Sequence, residues 1–296
     1  MLYDIKLRIA YAYDNGADAS RQIVRLLPMD LPGEQRLIAG SLTVRPKPQE
    51  WVNQVDFFGN RNAELVFTQA HRDIAFMVQS RVECFGKVKG GHSASTLSVL
   101  AAEIEGYHSL NSWAPHHFLG PSPRVPIEAA TTAYARSTTS EYPDVLGAVT
   151  HIGNKLHDDM DYDPKATTVE TQMLEAFNGR HGVCQDFAHV MISCLRGIGI
   201  PAGYVSGFLR TTPPAGKPRL EGADAMHAWV RAWCGNEIGW IEYDPTNGVL
   251  TGSNHVVVAR GRDYSDVAPI KGIMRTYGKH TSKQSVDVIP VVSPAQ

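Results

Sequence analysis

The chain has 296 residues, of which 43% are apolar and 20% are charged, and its formal net charge at pH 7 is −2. The apolar share provides material for packed cores and excludes a wholly disordered chain, and the length suggests about two domains at roughly 150 residues each. The near-neutral charge does not supply the positive field that binding to nucleic acid or to an anionic membrane requires, so we expect neither partner.

Cysteine usage and hydropathy indicate a soluble protein with reduced thiols. The four cysteines are too few and too widely spread for a disulfide framework, and no C-x-x-C pair indicates structural zinc. Residues 1–9 interleave charged and apolar side chains, unlike the apolar core of a signal peptide. No run approaches the roughly 18–20 apolar residues that span a bilayer. We therefore expect a cytoplasmic protein.

Residues 1–86 carry the alternation that is typical of half-buried strands. Tyr3, Ile5, Leu7 and Ile9 are apolar and the residues between them are polar. Residues 59–62, Gly-Asn-Arg-Asn, separate two apolar segments as a hairpin connection does. We predict an antiparallel β-sandwich over residues 1–86, acting as a scaffold or recognition module without chemistry of its own.

Residues 87–125 are rich in glycine and proline, and we predict that they form a linker between two domains. Three histidines in this segment, His108, His116 and His117, raise the hypothesis of a metal site. Their spacing matches no pair of ligands on one helix, and the neighbouring side chains at 116 and 117 should diverge. We therefore interpret them as solvated loop histidines and predict no metal.

After residue 126 the apolar spacing becomes helical. Thr167-x-x-Glu170 has the form of a capping box and predicts a helix that ends near Gly179. From Cys184 onward an apolar stripe predicts a second, buried helix with Cys184 in its first turn. The N–H groups and partial positive charge of a helix N-terminus favour a thiolate and can stabilise an oxyanion. A lone cysteine, however, is more often a small buried apolar residue.

Two segments at 227–234 and 239–247 are rich in aromatic and β-branched residues, and the turn between them predicts a hairpin. In that hairpin His227 and Asp244 should lie nearly opposite each other on one face. An aspartate beside a histidine fixes its tautomer and stabilises the imidazolium, which is the role of the third member of a catalytic triad. The spacing alone leaves open a surface ion pair with a structural cysteine.

Three runs resemble motifs of the transglutaminase-like superfamily of papain-type thiol enzymes: Gly-Val-Cys-Gln-Asp-Phe-Ala at 182–188, His-Ala-Trp-Val at 227–230, and Tyr-Asp-Pro-Thr-Asn-Gly at 243–248. Residues 257–264 resemble the bacterial branch of that family. The resemblance implies an α+β fold in which a papain/transglutaminase-like core at 126–275 follows the amino-terminal β-domain. A tail at 276–296 would then carry a final strand, predicted at 285–292.

The resemblance also implies that Cys184 is the nucleophile, His227 the general base and acid, and Asp244 the orienting carboxylate. Such a triad needs no metal and no cofactor. Tyr162, upstream of the nucleophile, is expected to line the cleft. The reaction would be acyl transfer through a thioester, with hydrolysis of a peptide or amide bond in a peptide or protein substrate as the first prediction. The alternatives are a protein-glutamine transglutaminase or deamidase and, in another class, a non-catalytic binding module of the same fold.

Overall fold

The computed structural model describes residues 1–86, 94–139, 144–211, 222 and 224–291, and it confirms the predicted α+β class. The strands are β1 (Leu2–Val24), β2 (Gln35–Arg45), β3 (Glu50–Val55), β4 (Arg61–Phe67), β5 (His71–Cys84), β6 (Asp161–Tyr162), β7 (His181–Gly182), β8 (Ala202–Leu209), β9 (Ala225–Trp233), β10 (Trp240–Asp244), β11 (Val249–Leu250), β12 (His255–Gly261), β13 (Ile270–Thr276) and β14 (His280–Pro290). The helices are α1 (Leu97–Glu105), α2 (Ala129–Thr139), α3 (Val145–Asp159), α4 (Met173–Gly179), α5 (Cys184–Gly197) and α6 (Tyr264–Val267), with a 3₁₀-helix at Pro115–Phe118.

The amino-terminal strands form one curled antiparallel sheet in the order β2-β5-β1-β4-β3. The alternation predicted for β1 is confirmed, because Tyr3, Ile5, Leu7 and Ile9 are all buried. The hairpin predicted around residues 59–62 is the β3–β4 pair. β1 is long enough to pair with β5 through its first half and with β4 through its second half. The change of partner along β1 is what turns the sheet.

Strands from the carboxyl end of the chain complete the same sheet. β13 pairs with the second half of β1 and β14 with its first half, both antiparallel. Together they accompany β1 along most of its length. The sequence analysis expected a final strand at residues 285–292; the structure has β14 at His280–Pro290, and Val292 lies outside the described residues. Val286 and Val288 of β14 are fully buried, which explains why the strand docks there.

The second sheet has the strand order β11-β10-β9-β8-β12 and holds the candidate active site. Alternate residues of β9 point to opposite faces, so the sheet packs on both sides. Ala228 and Val230 join the core that includes α5, whereas Trp229 packs with Met29 and Leu31 from the segment after β1. The segment predicted as a linker contains α1 and the 3₁₀-helix. None of the helices in the described ranges is long and apolar enough to cross a membrane.

Two side-chain amides join the amino-terminal segment to the open edge of β12. Gln35 donates to the Val257 carbonyl at 2.9 Å and accepts from the Val257 N–H at 2.8 Å. Asn60 does the same at Arg260, with both contacts at 2.8 Å. Each amide therefore stands in for the backbone of a neighbouring strand. The edge of the second sheet is thereby covered by residues from the first.

Candidate active site

Cys184 is the first residue of α5, as the apolar stripe predicts. The chain reaches it through a tight connection, in which Arg180 adopts a left-handed conformation at φ 56° and β7 then pairs in parallel with β6. The Arg180 guanidinium lies over the Phe177 ring, 4.3 Å from its centroid, and anchors this turn to α4. Cys184 is partly exposed, whereas the other three cysteines are buried. Among the four, Cys184 is therefore the thiol that a substrate can reach.

Asp186 fixes the first turn of α5. Its Oδ2 accepts the Val183 N–H at 2.8 Å and the Thr167 hydroxyl at 2.6 Å. Burial raises the pKa of Asp186, and these two hydrogen bonds oppose the rise. Position 182 requires glycine, because the Cβ of any other residue would come within 2.6 Å of Asp186 Oδ2.

The capping box predicted at Thr167–Glu170 is wrong, because α4 begins only at Met173, after Gln172. The Thr167 hydroxyl donates to the carboxylate of Asp186, 19 residues along the chain, instead of bonding to the backbone of its own segment. Nearby, Gln185 Nε2 donates to the Val169 carbonyl at 3.4 Å. The segment between β6 and α4 is thus held against the start of α5.

His227 and Asp244 lie together in the predicted hairpin of β9 and β10. Trp233 pairs with Trp240 and Val230 with Tyr243, which puts Asp244 diagonal to His227 rather than directly opposite. Both side chains still project from one face, and His227 Nε2 lies 2.7 Å from Asp244 Oδ2. His227 is flanked on β8 by Gly207, where a Cβ would overlap the Trp229 ring. The structure therefore brings these two predicted residues into direct contact.

Asp244 is completely buried and surrounded by hydrogen-bond donors. Its Oδ2 is bonded to His227 Nε2, to Asn247 Nδ2 at 2.7 Å and to His255 Nε2 at 3.1 Å. Its Oδ1 accepts the N–H groups of Thr246 and Asn247 at 3.0 and 3.3 Å. Burial alone would raise the pKa of Asp244, but the bonds from His227 and His255 outweigh it and hold the pKa far below its usual range. Asp244 is therefore a fixed anion.

His227 is held in its charged form by its two neighbours. Burial disfavours the imidazolium, but the hydrogen bonds and negative charges of Asp244 and Cys184 outweigh that cost and raise the pKa of His227 to about 10. Nε2 is bonded to Asp244, and a hydrogen bond with Cys184 is among the causes that raise the pKa of His227, so the sulfur lies close to the imidazole. The three side chains predicted as a triad are thus neighbours in the structure.

Tyr162 lies near Cys184, as expected from its position upstream. It pairs with Gly182 across β6 and β7, and its side chain is 58% exposed. Burial and the charge of Cys184 raise its pKa. The same two causes raise the pKa of Tyr204, which lies on β8. The charge of Cys184 therefore acts on two phenol groups, those of Tyr162 and Tyr204.

Sequence reasoning missed His255, the second imidazole on Asp244. It opens β12 eleven residues after Asp244, and no local spacing relates the two positions. The ligand atoms of His227, Asp244 and His255 lie within 4.8 Å of one another. Both imidazoles already hydrogen-bond to the same carboxylate oxygen, so a metal ion held by this trio would have to replace both bonds.

The expectation that His116 and His117 are diverging, solvated side chains is wrong. Their ring centroids are 4.5 Å apart, and both Nε2 atoms are buried. The 3₁₀-helix that carries them places the rings between Tyr107 and Phe57, which pack edge-on against His116 and His117 respectively. Aromatic packing therefore decides their position.

Comparison with known proteins agrees with this architecture. The transglutaminase-like superfamily matches residues 132–245, and the bacterial transglutaminase-like N-terminal region matches residues 3–83. An uncharacterized protein of Mycobacterium tuberculosis (Rv2569c) is 32% identical over 292 residues, which cover 97% of this chain and 92% of that protein. A protein-glutamine gamma-glutamyltransferase of Pseudomonas aeruginosa is 41% identical over 71 residues, 24% of this chain and 10% of that protein.

Among solved structures, a candidate cysteine protease from Cytophaga hutchinsonii has the same fold, with a TM-score of 0.77 and 21% identity over 100% of this chain and 92% of that one. The match to the superfamily core includes Cys184, His227 and Asp244, and the match to the amino-terminal region precedes it in the chain. The chain therefore belongs to the transglutaminase-like superfamily, in the bacterial branch that carries the transglutaminase-like amino-terminal region.

Proposed function

We propose that the protein is a thiol-dependent acyl-transfer enzyme that hydrolyses a peptide or amide bond of a peptide or protein through a thioester. The observation that carries this proposal is the buried 2.7 Å contact between His227 and Asp244, next to a partly exposed cysteine at a helix start. A surface ion pair would be exposed, but Asp244 is completely buried. Burying a charge is costly unless it is paired, so an arrangement of this kind is typical of a functional site.

In the first half of the reaction, the Cys184 thiolate attacks the carbonyl carbon and the oxygen becomes an oxyanion. We assign the N–H groups in the first turn of α5 as the donors to that oxygen, because a helix N-terminus favours negative charge. As the intermediate collapses, the C–N bond breaks, and His227 gives its proton to the leaving amine or ammonia. Cys184 is left as a thioester.

In the second half, His227 acts as the base. Formation of the thioester removes the negative charge of Cys184, which is one of the causes that raise the pKa of His227. The imidazole can then take a proton from water as the water oxygen attacks the thioester carbon. The C–S bond breaks, the acid leaves, and the thiolate and imidazolium are restored.

Transfer to an amine instead of water is the second candidate. The Pseudomonas aeruginosa relative is named as a protein-glutamine gamma-glutamyltransferase, and transfer to an amine would start from the same proposed thioester. Hydrolysis remains the first proposal because no described feature excludes water from the space beside Tyr162, which is 58% exposed. The cytoplasmic location expected from the sequence stays a prediction.

A peptide library screened for three products separates these reactions. New amino termini indicate a peptidase, free ammonia without chain cleavage a glutaminase or amidase, and incorporation of a labelled amine a transferase. Cys184→Ala should abolish all three, whereas Cys194→Ala, the same change at a buried position of the same helix, should keep the wild-type activity. Activity retained in Cys184→Ala would refute the proposal. A wild-type protein that is inert toward the library and toward thiol reagents would favour a binding module.

A further inference from the structure

A second imidazole, that of His255, is bonded to the carboxylate of Asp244. His255 Nε2 lies 3.1 Å from Oδ2, the same oxygen that contacts His227 at 2.7 Å. We propose that His255 is a positioning residue for the reaction, acting on His227 through Asp244. This inference rests on the proposed acyl-transfer function and deepens it.

The tautomer of His255 follows from its other nitrogen. The backbone N–H of Gly252 points to His255 Nδ1 at 3.4 Å, so Nδ1 accepts and the ring proton lies on Nε2. The same turn is closed by the His255 N–H, which donates to the Gly252 carbonyl at 3.1 Å. His255 thus donates its Nε2–H to the Asp244 carboxylate.

The ring of His255 is fixed by packing. Its side chain is 7% exposed, and its centroid lies 5.2 Å from that of Trp229 in an edge-on arrangement. The Trp229 indole is held in turn by Glu242, which accepts its Nε1–H at 2.9 Å. A side chain held on both sides loses little freedom when it donates a hydrogen bond. The donor is therefore already in place before substrate binds.

The ionisable groups around His255 leave Asp244 as its direct partner. His227 lies on β9 with ring centroids 6.3 Å apart, and a small cavity on the far side is lined by Glu34, Cys84 and Glu242. Both of these glutamates are bonded to Arg260. Among the described residues, the anion that His255 contacts at hydrogen-bond distance is Asp244.

The consequence for the reaction is orientation. With Asn247 also donating at 2.7 Å, Oδ2 is held from three directions and the carboxylate cannot rotate away from His227. The extra donor also lowers the proton affinity of Asp244, so that the shared proton stays on the imidazole. Without His255, the carboxylate would turn more freely and attract the proton more strongly.

The test compares His255→Phe, which keeps a planar ring but no donor, with His255→Gln, which keeps an N–H donor. We expect His255→Phe to lower kcat about tenfold or more with little change in KM, because a hydrogen bond to a charged group is lost. The basic limb of its pH profile should move to higher pH, since Asp244 then holds the His227 proton more strongly. His255→Gln should recover most of kcat and restore the limb. His280→Phe, at an exposed position of β14, serves as a matched control and should resemble wild type.

Thermal unfolding of each variant separates loss of the fold from loss of the donor. The proposal is overturned if His255→Phe keeps kcat within twofold of wild type, or if the Phe and Gln variants are equally impaired while folded. If wild type itself turns over nothing, the acyl-transfer proposal fails, and titration of the His227 ring by NMR tests His255 alone. An unchanged His227 titration in folded His255→Phe would then overturn the positioning role.

Discussion

Asp244 and Asp186 are both buried carboxylates near Cys184, and their partners set them apart. Asp244 is bonded to two imidazoles, which hold its pKa far below the usual range. Asp186 accepts from a hydroxyl and a backbone N–H, both neutral, and burial raises its pKa. The first arrangement suits a group that stabilises an imidazolium, and the second suits a helix cap.

Substituting each carboxylate by its amide should separate these roles. Asp244→Asn should lower kcat by about 10⁴-fold, because an amide presents the wrong hydrogen-bond partner to His227. Asp186→Asn should lower stability by about 0.5–2 kcal/mol through a weakened cap and reduce turnover less. Steady-state kinetics and thermal unfolding of both variants check this. A larger loss of kcat in Asp186→Asn would contradict the assignment.

At the scale of single elements, the sequence predicts those helices and hairpins whose residue patterns are local. The start of α5 follows from its apolar stripe, and the β9–β10 hairpin from its two strand-like segments. The observed register puts Asp244 diagonal to His227, two positions from directly opposite. An offset of two keeps side chains on the same face, so the His227–Asp244 contact still forms. A shift of one would have destroyed it.

What the sequence could not predict depends on contacts between distant segments. The Thr167 hydroxyl bonds to the carboxylate of Asp186 and not to its own backbone, and His255 on β12 bonds to Asp244 on β10. The rings of His116 and His117 are placed by Tyr107 and Phe57, which come from different parts of the chain. Periodicity and capping rules describe neighbours along the chain, and none of these pairs is a neighbour in that sense.

The packing of α3 against β10 offers a test at this scale. A Cβ at Gly153 of α3 would overlap the ring of Tyr243, the residue before Asp244. Gly153→Ala should therefore push β10 outward, cost about 1–3 kcal/mol despite the better helix propensity of alanine, and lower kcat. Gly120→Ala, where a Cβ would meet open space, is the control. Unfolding and kinetic measurements that find the two variants alike would show that this contact does not position Asp244.

For the molecule as a whole, the two sheets are joined at several places. β13 and β14 return from the second sheet to pair along β1, and Gln35 and Asn60 bond to the edge of β12. Domain boundaries predicted from the sequence divide the chain into consecutive segments. Such a division cannot reveal that strands near the carboxyl end pair with β1 at the amino end. The arrangement indicates that the amino-terminal sheet supports β12 and, through it, His255.

Removing one amide contact tests that support. Asn60→Leu leaves the Arg260 N–H and carbonyl without their partner and should cost about 1–3 kcal/mol for each buried group. We expect wild type and variant to unfold in a single transition, because side-chain hydrogen bonds join the two sheets. Asn53→Leu, at an exposed position of β3, should change stability by about 0.5 kcal/mol or less. Separate melting of the amino-terminal sheet, seen by calorimetry, would contradict the account.

The central claim is that His227 activates Cys184, and the rate of Cys184 alkylation against pH tests it most directly. Because Asp244 and Cys184 raise the pKa of His227 to about 10, the imidazolium persists below that pH and favours the thiolate beside it. Wild type should therefore react with iodoacetamide at a rate that stays level from below pH 7 upward, while the three buried cysteines stay unmodified. In His227→Ala the rate should instead rise near pH 8–9, like that of an ordinary thiol at about 8.5. If both proteins follow the ordinary-thiol curve, Cys184 is not activated and the proposed mechanism is wrong.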